Sequence, residues 1–531
     1  MTFDSLKLPY PSRRSPVYGQ AMTASSNPLT SSIGLDILRS GGNAIDAAVS
    51  MAIAMTVLEP TCNGLGSDLF AIVYYQGRLF GINASGPSPK KATYAFYRDR
   101  FGQEMPSFGP LTTTVPGAVD GWIQLANRFG RLPWEALFEG PIAYAREGYP
   151  VSPVVAKLWA LEFEKYQKLD ENFDTLYQAF GLDGQAPKPG QVFKNPNLAK
   201  TLEKIAQDGR SFFYEGEGAR ASAAYIQSQG GLLDFEDFAS YRASWVDPIS
   251  ISYRGHEIYE MPPNGQGISV LMALGLMKRS PSTPSHGEDF LHRQIEATKL
   301  SMTLARDYVC DPRFLRWPME ELLSDHFLGL QEKNLGSQAR DFSSYKSEPS
   351  TVYLTTADQE GNMVSLIQSN YDGFGSGLVH PDYAISYNNR GANFSLVEGH
   401  PNCIGPCKRS YHTIIPGFIM KEGKALGTFG VMGAFMQPQG HIQVISNLLD
   451  QGLNPQAALD KPRWQWIGGK NLEVEKDFDP VLVQGLMKRD HQVSYPENSY
   501  AMGRGQIILR DDQGIYCGGT EKRTDGHIST Y

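Results

Sequence analysis

The sequence predicts an α+β protein, with helices and antiparallel hairpins sharing one chain, and three observations predict it. Residues 44–58 form an apolar run rich in Ala and Met, which reads as a buried helix. Residues 69–75 and 78–82 are two apolar stretches joined by Gln76-Gly77, a hairpin pattern. Residues 351–357, largely β-branched and aromatic, and the returning run 363–369 flank the turn Asp358-Gln359-Glu360-Gly361-Asn362 and repeat that pattern.

Taken in order, a first helix is expected over residues 31–38, stopped by Gly41-Gly42-Asn43, and the second runs from Ala44 to about Leu58. Residues 61–68 form a glycine-rich turn into the first strand. The middle third reads as mainly helical, broken by loops at 184–196 and 280–287. A helix over 291–308 is stopped by Asp311-Pro312. Residues 334–350 are polar and read as an exposed, mobile connection. After the 351–369 hairpin, strands are expected at 413–420 and 425–431, a helix at 442–449 and a last hairpin near 506–517. No internal repeat is visible.

Composition narrows the partners. A chain of 531 residues can hold two or three average domains or one large unit. With 41% hydrophobic and 20% charged residues it belongs among globular chains, not disordered ones. A net charge of -8 without a Lys/Arg run argues against nucleic acid or an anionic membrane as partner. The greasiest run, 45–58, contains Asp46 and is too short to span a bilayer. The first residues lack the apolar core of a signal peptide. The five cysteines include Cys403 and Cys407, but no second Cys or His pair completes a zinc site. Reduced thiols, a cytoplasmic location, no metal and no cofactor are therefore expected.

Several catalytic motifs are absent. Gly373-Phe374-Gly375-Ser376-Gly377 has the spacing of neither a phosphate loop nor a nucleophile elbow. His256-Glu257 lacks the second His of a zinc-protease helix. What remains is Thr351, at the start of a strand and directly after a polar connection. A threonine so placed can attack the carbonyl before it, pass the chain to an ester and release it to water. The new α-amine, with a pKa of about 7.7–8.0, can serve as base for its own hydroxyl without any histidine. Spacing alone does not separate this use from an ordinary strand threonine.

The ordered motifs do separate them. They are Gly41-Gly42-Asn43-Ala44-Ile45-Asp46-Ala47-Ala48, Glu59-Pro60 with Asn63-Gly64-Leu65-Gly66-Ser67-Asp68, and Val115-Pro116-Gly117-Ala118-Val119. Then come Pro262-Pro263-Asn264-Gly265-Gln266-Gly267, Ile295-Glu296-Ala297-Thr298-Lys299-Leu300, the 358–362 turn, Phe374-Gly375-Ser376-Gly377, and Gly452-Leu453-Asn454 with Lys461-Pro462-Arg463-Trp464. Through them the chain resembles, nearly end to end, the γ-glutamyltransferase family of N-terminal nucleophile hydrolases, in a divergent branch close to cephalosporin-acylase-like members.

The resemblance implies a four-layer αββα sandwich and self-cleavage before Thr351. The products would be a large subunit of residues 1–350 and a small one of 351–531, forming a heterodimer and admitting a dimer of such pairs. It puts Ser369 where a hydroxyl orients the nucleophile, and Gly433 and Ala434 where two backbone N–H groups form the oxyanion hole.

The implied substrate pocket departs from the family pattern. The arginine that reads the γ-glutamyl carboxylate is missing from Ser85-Gly86-Pro87-Ser88-Pro89, though Lys90 and Lys91 follow. His412 and Thr413 stand for paired serines. Arg390 stands where an ammonium receptor is expected, Asn393 replaces an aspartate, and Tyr371 replaces an asparagine. A guanidinium cannot accept a hydrogen bond and repels an ammonium. Three readings stay open. The first is an enzyme acting on small-molecule γ-glutamyl amides such as glutathione. The second is an acylase for acyl groups lacking the α-amine, glutaryl-like or other short anionic ones. The third is a non-catalytic binding protein on the same fold.

Overall fold

The computed structural model describes residues 14–169, 172–279, 286–342 and 351–531. Two seven-stranded sheets form its centre, and every neighbouring pair of strands in them is antiparallel. The strands are, in chain order, β1 (Val17–Gly19), β2 (Met22–Ser25), β3 (Asp68–Tyr75), β4 (Arg78–Ala84), β5 (Ser244–Val246), β6 (Ile249–Tyr253) and β7 (His256–Glu260). After the connection come β8 (Val352–Ala357), β9 (Met363–Ser369), β10 (Gly417–Lys421), β11 (Lys424–Met432), β12 (Arg504–Arg510), β13 (Tyr516–Thr520) and β14 (His527–Thr530). The first sheet has the order β14-β2-β8-β9-β3-β4-β5, and the second β1-β13-β12-β11-β10-β7-β6.

Alternation along each strand builds the layers. On β8, Tyr353 points to a core shared with Phe418, Met432 and Ile508 of the other sheet. Its neighbours Val352 and Leu354 face the opposite way, into a core with the helices α1 (Pro28–Arg39), α2 (Ala44–Leu58) and α3 (Ala118–Phe129). The outer face of the second sheet is covered by α4 (Gly267–Lys278), α5 (Glu288–Tyr308) and α6 (Met436–Leu449). Helices, sheet, sheet, helices: this is the αββα sandwich expected.

α2 is buried at every position, and its start is fixed locally. The Asn43 side chain accepts from the backbone N–H groups of Ile45 and Asp46, and Asp46 accepts from that of Asn43, a complete capping box. Strand β9 spans the expected 363–369.

Elsewhere the structure corrects the sequence reading. The strand expected at 413–420 begins only at Gly417. Pro416 has no N–H, the Ile414 N–H goes to His412 Nδ1, and the Ile415 N–H goes to Gln437 Oε1, so these three residues offer no N–H to a ladder. The helix expected at 442–449 starts at Met436, since Pro438 lies in a first turn whose N–H groups have no intrahelical partner anyway. Of the connection expected at 334–350, residues 343–350 lie outside the described residues, as do 280–285 of the loop before α5. Residues 336–340 are docked rather than loose. Ala339 N–H bonds Arg489 O, and Lys299 Nζ bonds Arg340 O. All five cysteines are free thiols.

Candidate active site

Thr351 sits just ahead of β8, 1% exposed. Val352 pairs with Gln368 across β8 and β9, so the next position places Thr351 beside Ser369. Thr351 Oγ1 donates to Ser369 Oγ at 3.3 Å. Ser369 Oγ in turn accepts the backbone N–H of Tyr371 at 2.8 Å, and that residue turns at φ 88°. Gln368 secures the strand end from the helix side. Its Nε2 donates to Ala52 O and Asn63 Oδ1, and its Oε1 accepts from Trp122 Nε1.

Gly433 and Ala434 occupy the turn from β11 into α6, at φ 137° and 47°. The Gln266 amide donates to Ala434 O at 3.0 Å and to Thr413 O at 2.6 Å, tying this turn to the pocket wall. Three residues after Ala434, Gln437 Nε2 reaches Thr351 Oγ1 at 3.4 Å. The expected oxyanion turn and the expected nucleophile are thus neighbours.

The pocket residues gather on Asp68, the first residue of β3. Ser369 and Asp68 are register partners across β9 and β3. Asp68 Oδ1 accepts the Gly86 N–H at 3.1 Å. Its Oδ2 accepts from Arg390 Nε at 3.1 Å and from His412 Nε2 at 2.9 Å. Arg390 Nη1 donates to Thr413 Oγ1 at 2.8 Å, and its guanidinium carbon lies 4.8 Å from the Tyr371 ring centroid. Apart from the half-buried Tyr371, all of this is buried, with the Asp68 and Arg390 side chains both at 0% exposure. Arg390 Nη2 has no hydrogen-bond partner among the described residues, so one end of a buried cation is unspent. Burial, reinforced by the Arg390 charge, pushes the His412 imidazole down to about 4. It is therefore neutral near pH 7, with its Nε2–H donated to Asp68.

The other expected site residues stand further off. Ser85 Oγ donates to Asn83 Oδ1 at 2.7 Å in a cluster with Asn264, whose backbone carbonyl accepts the His412 N–H. Asn393 closes the short turn that begins at Arg390, but among the described residues its side chain makes no hydrogen bond to Asp68, Arg390 or His412, and its buried Nδ2 has no partner. Lys91 turns outward to Asp234. Two residues that the sequence did not single out as functional, Asp68 and Gln437, are those that connect the rest.

Among the described residues, His292, Glu296 and His491 form one group of metal-ligand type, with candidate atoms within 4.8 Å of one another. Most of its polar atoms are engaged within the protein, while buried His491 Nδ1 has no hydrogen-bond partner among the described residues. Glu296 takes Lys299 Nζ and the Arg340 N–H. His292 donates Nε2–H to Gly336 O, so its Nδ1 accepts from His491 Nε2 at 2.9 Å. It ties α5 to the opposite part of the chain and to residues 336–340.

The model of the gamma-glutamyltranspeptidase family matches residues 30–531. The chain belongs to that family. A glutathione hydrolase-like proenzyme, YwrD, of Bacillus subtilis (strain 168) is 35% identical over 95% of this chain and 97% of its own length. An oxamate amidohydrolase proenzyme of Klebsiella pneumoniae is 32% identical over 96% of this chain and 98% of its own. The crystal structure of a cephalosporin acylase from Bacillus halodurans is 47% identical, with a TM-score of 0.96 covering 100% of this chain and 99% of that one. Membership of the gamma-glutamyltranspeptidase family makes this an N-terminal nucleophile hydrolase in fold and an enzyme in class, and the reading as a non-catalytic binding protein falls. No helix among the described residues is long and apolar enough to cross a membrane.

Proposed function

We propose that this chain cuts itself between Ser350 and Thr351 and that Thr351 then hydrolyses amide bonds. The observation that carries the reading is the Thr351 hydroxyl, buried at a strand end and bonded to Ser369 Oγ. In the processed enzyme the α-amine of Thr351 accepts the Oγ1 proton as Oγ1 attacks the substrate carbonyl. The ammonium returns the proton to the departing amine, leaving an acyl ester that water resolves. The backbone N–H groups of Gly433 and Ala434 would hold the tetrahedral oxyanion; one such donor is worth roughly 3 kcal/mol of barrier. Residues 1–350 and 351–531 become the two subunits of a heterodimer. Five free cysteines support a reducing, cytoplasmic setting.

The names of the relatives span glutathione, oxamate and cephalosporins. The Arg390 geometry supports an acyl group that ends in a carboxylate and lacks an α-ammonium. Its unspent Nη2 is a buried cationic donor, and a carboxylate oxygen is its natural acceptor. An ammonium placed there would face a guanidinium, while both oxygens of Asp68 are already engaged. γ-Glutamyl amides, glutathione among them, are the second reading, favoured by the similarity to the glutathione hydrolase-like protein. Hydrolysis of γ-glutamyl and glutaryl anilides by wild type and Arg390→Ala separates the two. Strong γ-glutamyl turnover untouched by Arg390→Ala would defeat the pocket argument.

A further inference from the structure

Gln437 lies on the first turn of α6, fully buried, and its two amide ends face different partners. Oε1 accepts the Ile415 N–H at 2.9 Å. A backbone N–H can only donate, so the opposite end of the amide must be the NH2 group. That end points at Thr351 Oγ1, 3.4 Å away. The same oxygen donates its proton toward Ser369 Oγ at 3.3 Å. One neighbour accepts from the nucleophile and the other donates to it.

These contacts act in opposite directions along the reaction. Acceptance by Ser369 orients the hydroxyl for attack, whereas donation by Gln437 draws charge from Oγ1 and opposes attack. During ester hydrolysis the sign reverses. Water adds to the acyl carbon and gives its proton to the Thr351 α-amine. The tetrahedral intermediate then collapses: the bond from carbon to Oγ1 breaks, its electron pair moves to Oγ1, and the ammonium returns the proton there. Negative charge develops on the atom at which the Gln437 N–H is already aimed. A separation of 3.4 Å is long for the unreacted enzyme, and such bonds tighten as charge builds.

We propose that Gln437 is a catalytic residue for acyl release, stabilising Thr351 Oγ1 as the leaving group. The proposal rests on Thr351 being the nucleophile. The experiment is pre-steady-state hydrolysis of an anilide substrate by the processed enzyme, with mass spectrometry of the Thr351 peptide. In Gln437→Met the first turnover should hold its rate or quicken, while steady state falls by roughly tenfold or more and acyl ester accumulates on Thr351. Gln437→Glu preserves the acceptor for Ile415 N–H. Its acyl-release rate relative to wild type should rise as pH falls, because the protonated acid regains a donor. If Gln437→Met folds poorly, the pH trend of Gln437→Glu decides alone. Acyl release at the wild-type rate in Gln437→Met, or a Gln437→Glu ratio flat with pH, overturns the proposal. Turnover by Thr351→Ala would instead overturn the nucleophile assignment beneath it.

Discussion

Ser369 and Asp68 are register partners on adjacent strands, so the residue bonded to the nucleophile and the anchor of the pocket cation share one rung of the sheet. Ser369 Oγ faces Thr351 and Asp68 Oδ2 holds Arg390 and His412, so a shift of β9 against β3 would disturb both sites together.

Thr351→Ala should abolish self-cleavage. On a denaturing gel the wild type is expected as two bands, with N-terminal sequencing of the smaller reading Thr351-Val352-Tyr353. The variant should run as a single chain. Two bands from the variant would remove Thr351 from the chemistry.

Removing the Arg390 cation leaves the buried Asp68 carboxylate without its charge partner. Arg390→Ala is expected to cost about 3–5 kcal/mol of stability. Arg390→Ala combined with Asp68→Asn should recover much of that, since the orphaned charge is gone. Urea unfolding of the two variants reads the difference; equal midpoints would show that the pair is not coupled.

His412 makes stability depend on pH. Its folded value of about 4 lies below the ordinary 6.5, so between those values the unfolded chain binds more protons. Its contribution is complete above pH 6.5 and is lost as pH falls toward 4, on the order of 3 kcal/mol in all. His412→Gln can still donate to Asp68 but does not titrate. Between pH 7 and 4.5 it should lose less stability in urea than wild type does, and an equal loss would contradict the assignment.

At the turn into α6, Gly433 has φ 137°, where an L side chain is strained although the nearest atoms to an added Cβ are 3.4 Å away. Gly433→Ala is expected to cost about 1–3 kcal/mol and, by re-aiming the N–H groups, to lower kcat on the order of a hundredfold. Ala434, at φ 47°, already occupies the left-handed region. Ala434→Gly should therefore stay within a few-fold of wild type. A drop in kcat for Ala434→Gly as large as for Gly433→Ala would show that the turn does not act through its N–H groups.

What the sequence made legible follows from how local each cause is. α2 was readable to the residue because Asn43 and Asp46 cap it from within four positions. Strand β9 was readable because its apolar residues end at turn signals. The strand near 413–420 was not, since the N–H of Ile415 is taken by a side chain 22 residues away. Thr351 and Ser369 could be named in advance because ordered motifs bracket them, and the fold sets their hydroxyls side by side. Asp68 stood inside a quoted motif yet looked like one more turn residue ahead of a strand. Gln437 gave no local signal at all: its partner Thr351 is 86 positions distant, and only the fold brings them together.

The interleaving of the sheets bears on what a cut before Thr351 would leave behind. β8 and β9 lie between β2 and β3, and β14 flanks β2 on its other side, while β10 pairs with β7 in the second sheet. The two pieces would share both sheets like the fingers of clasped hands, and neither would own a finished one. Nicked protein should therefore migrate as a single particle in native buffer. Pieces expressed apart should find no stable fold until each meets the other.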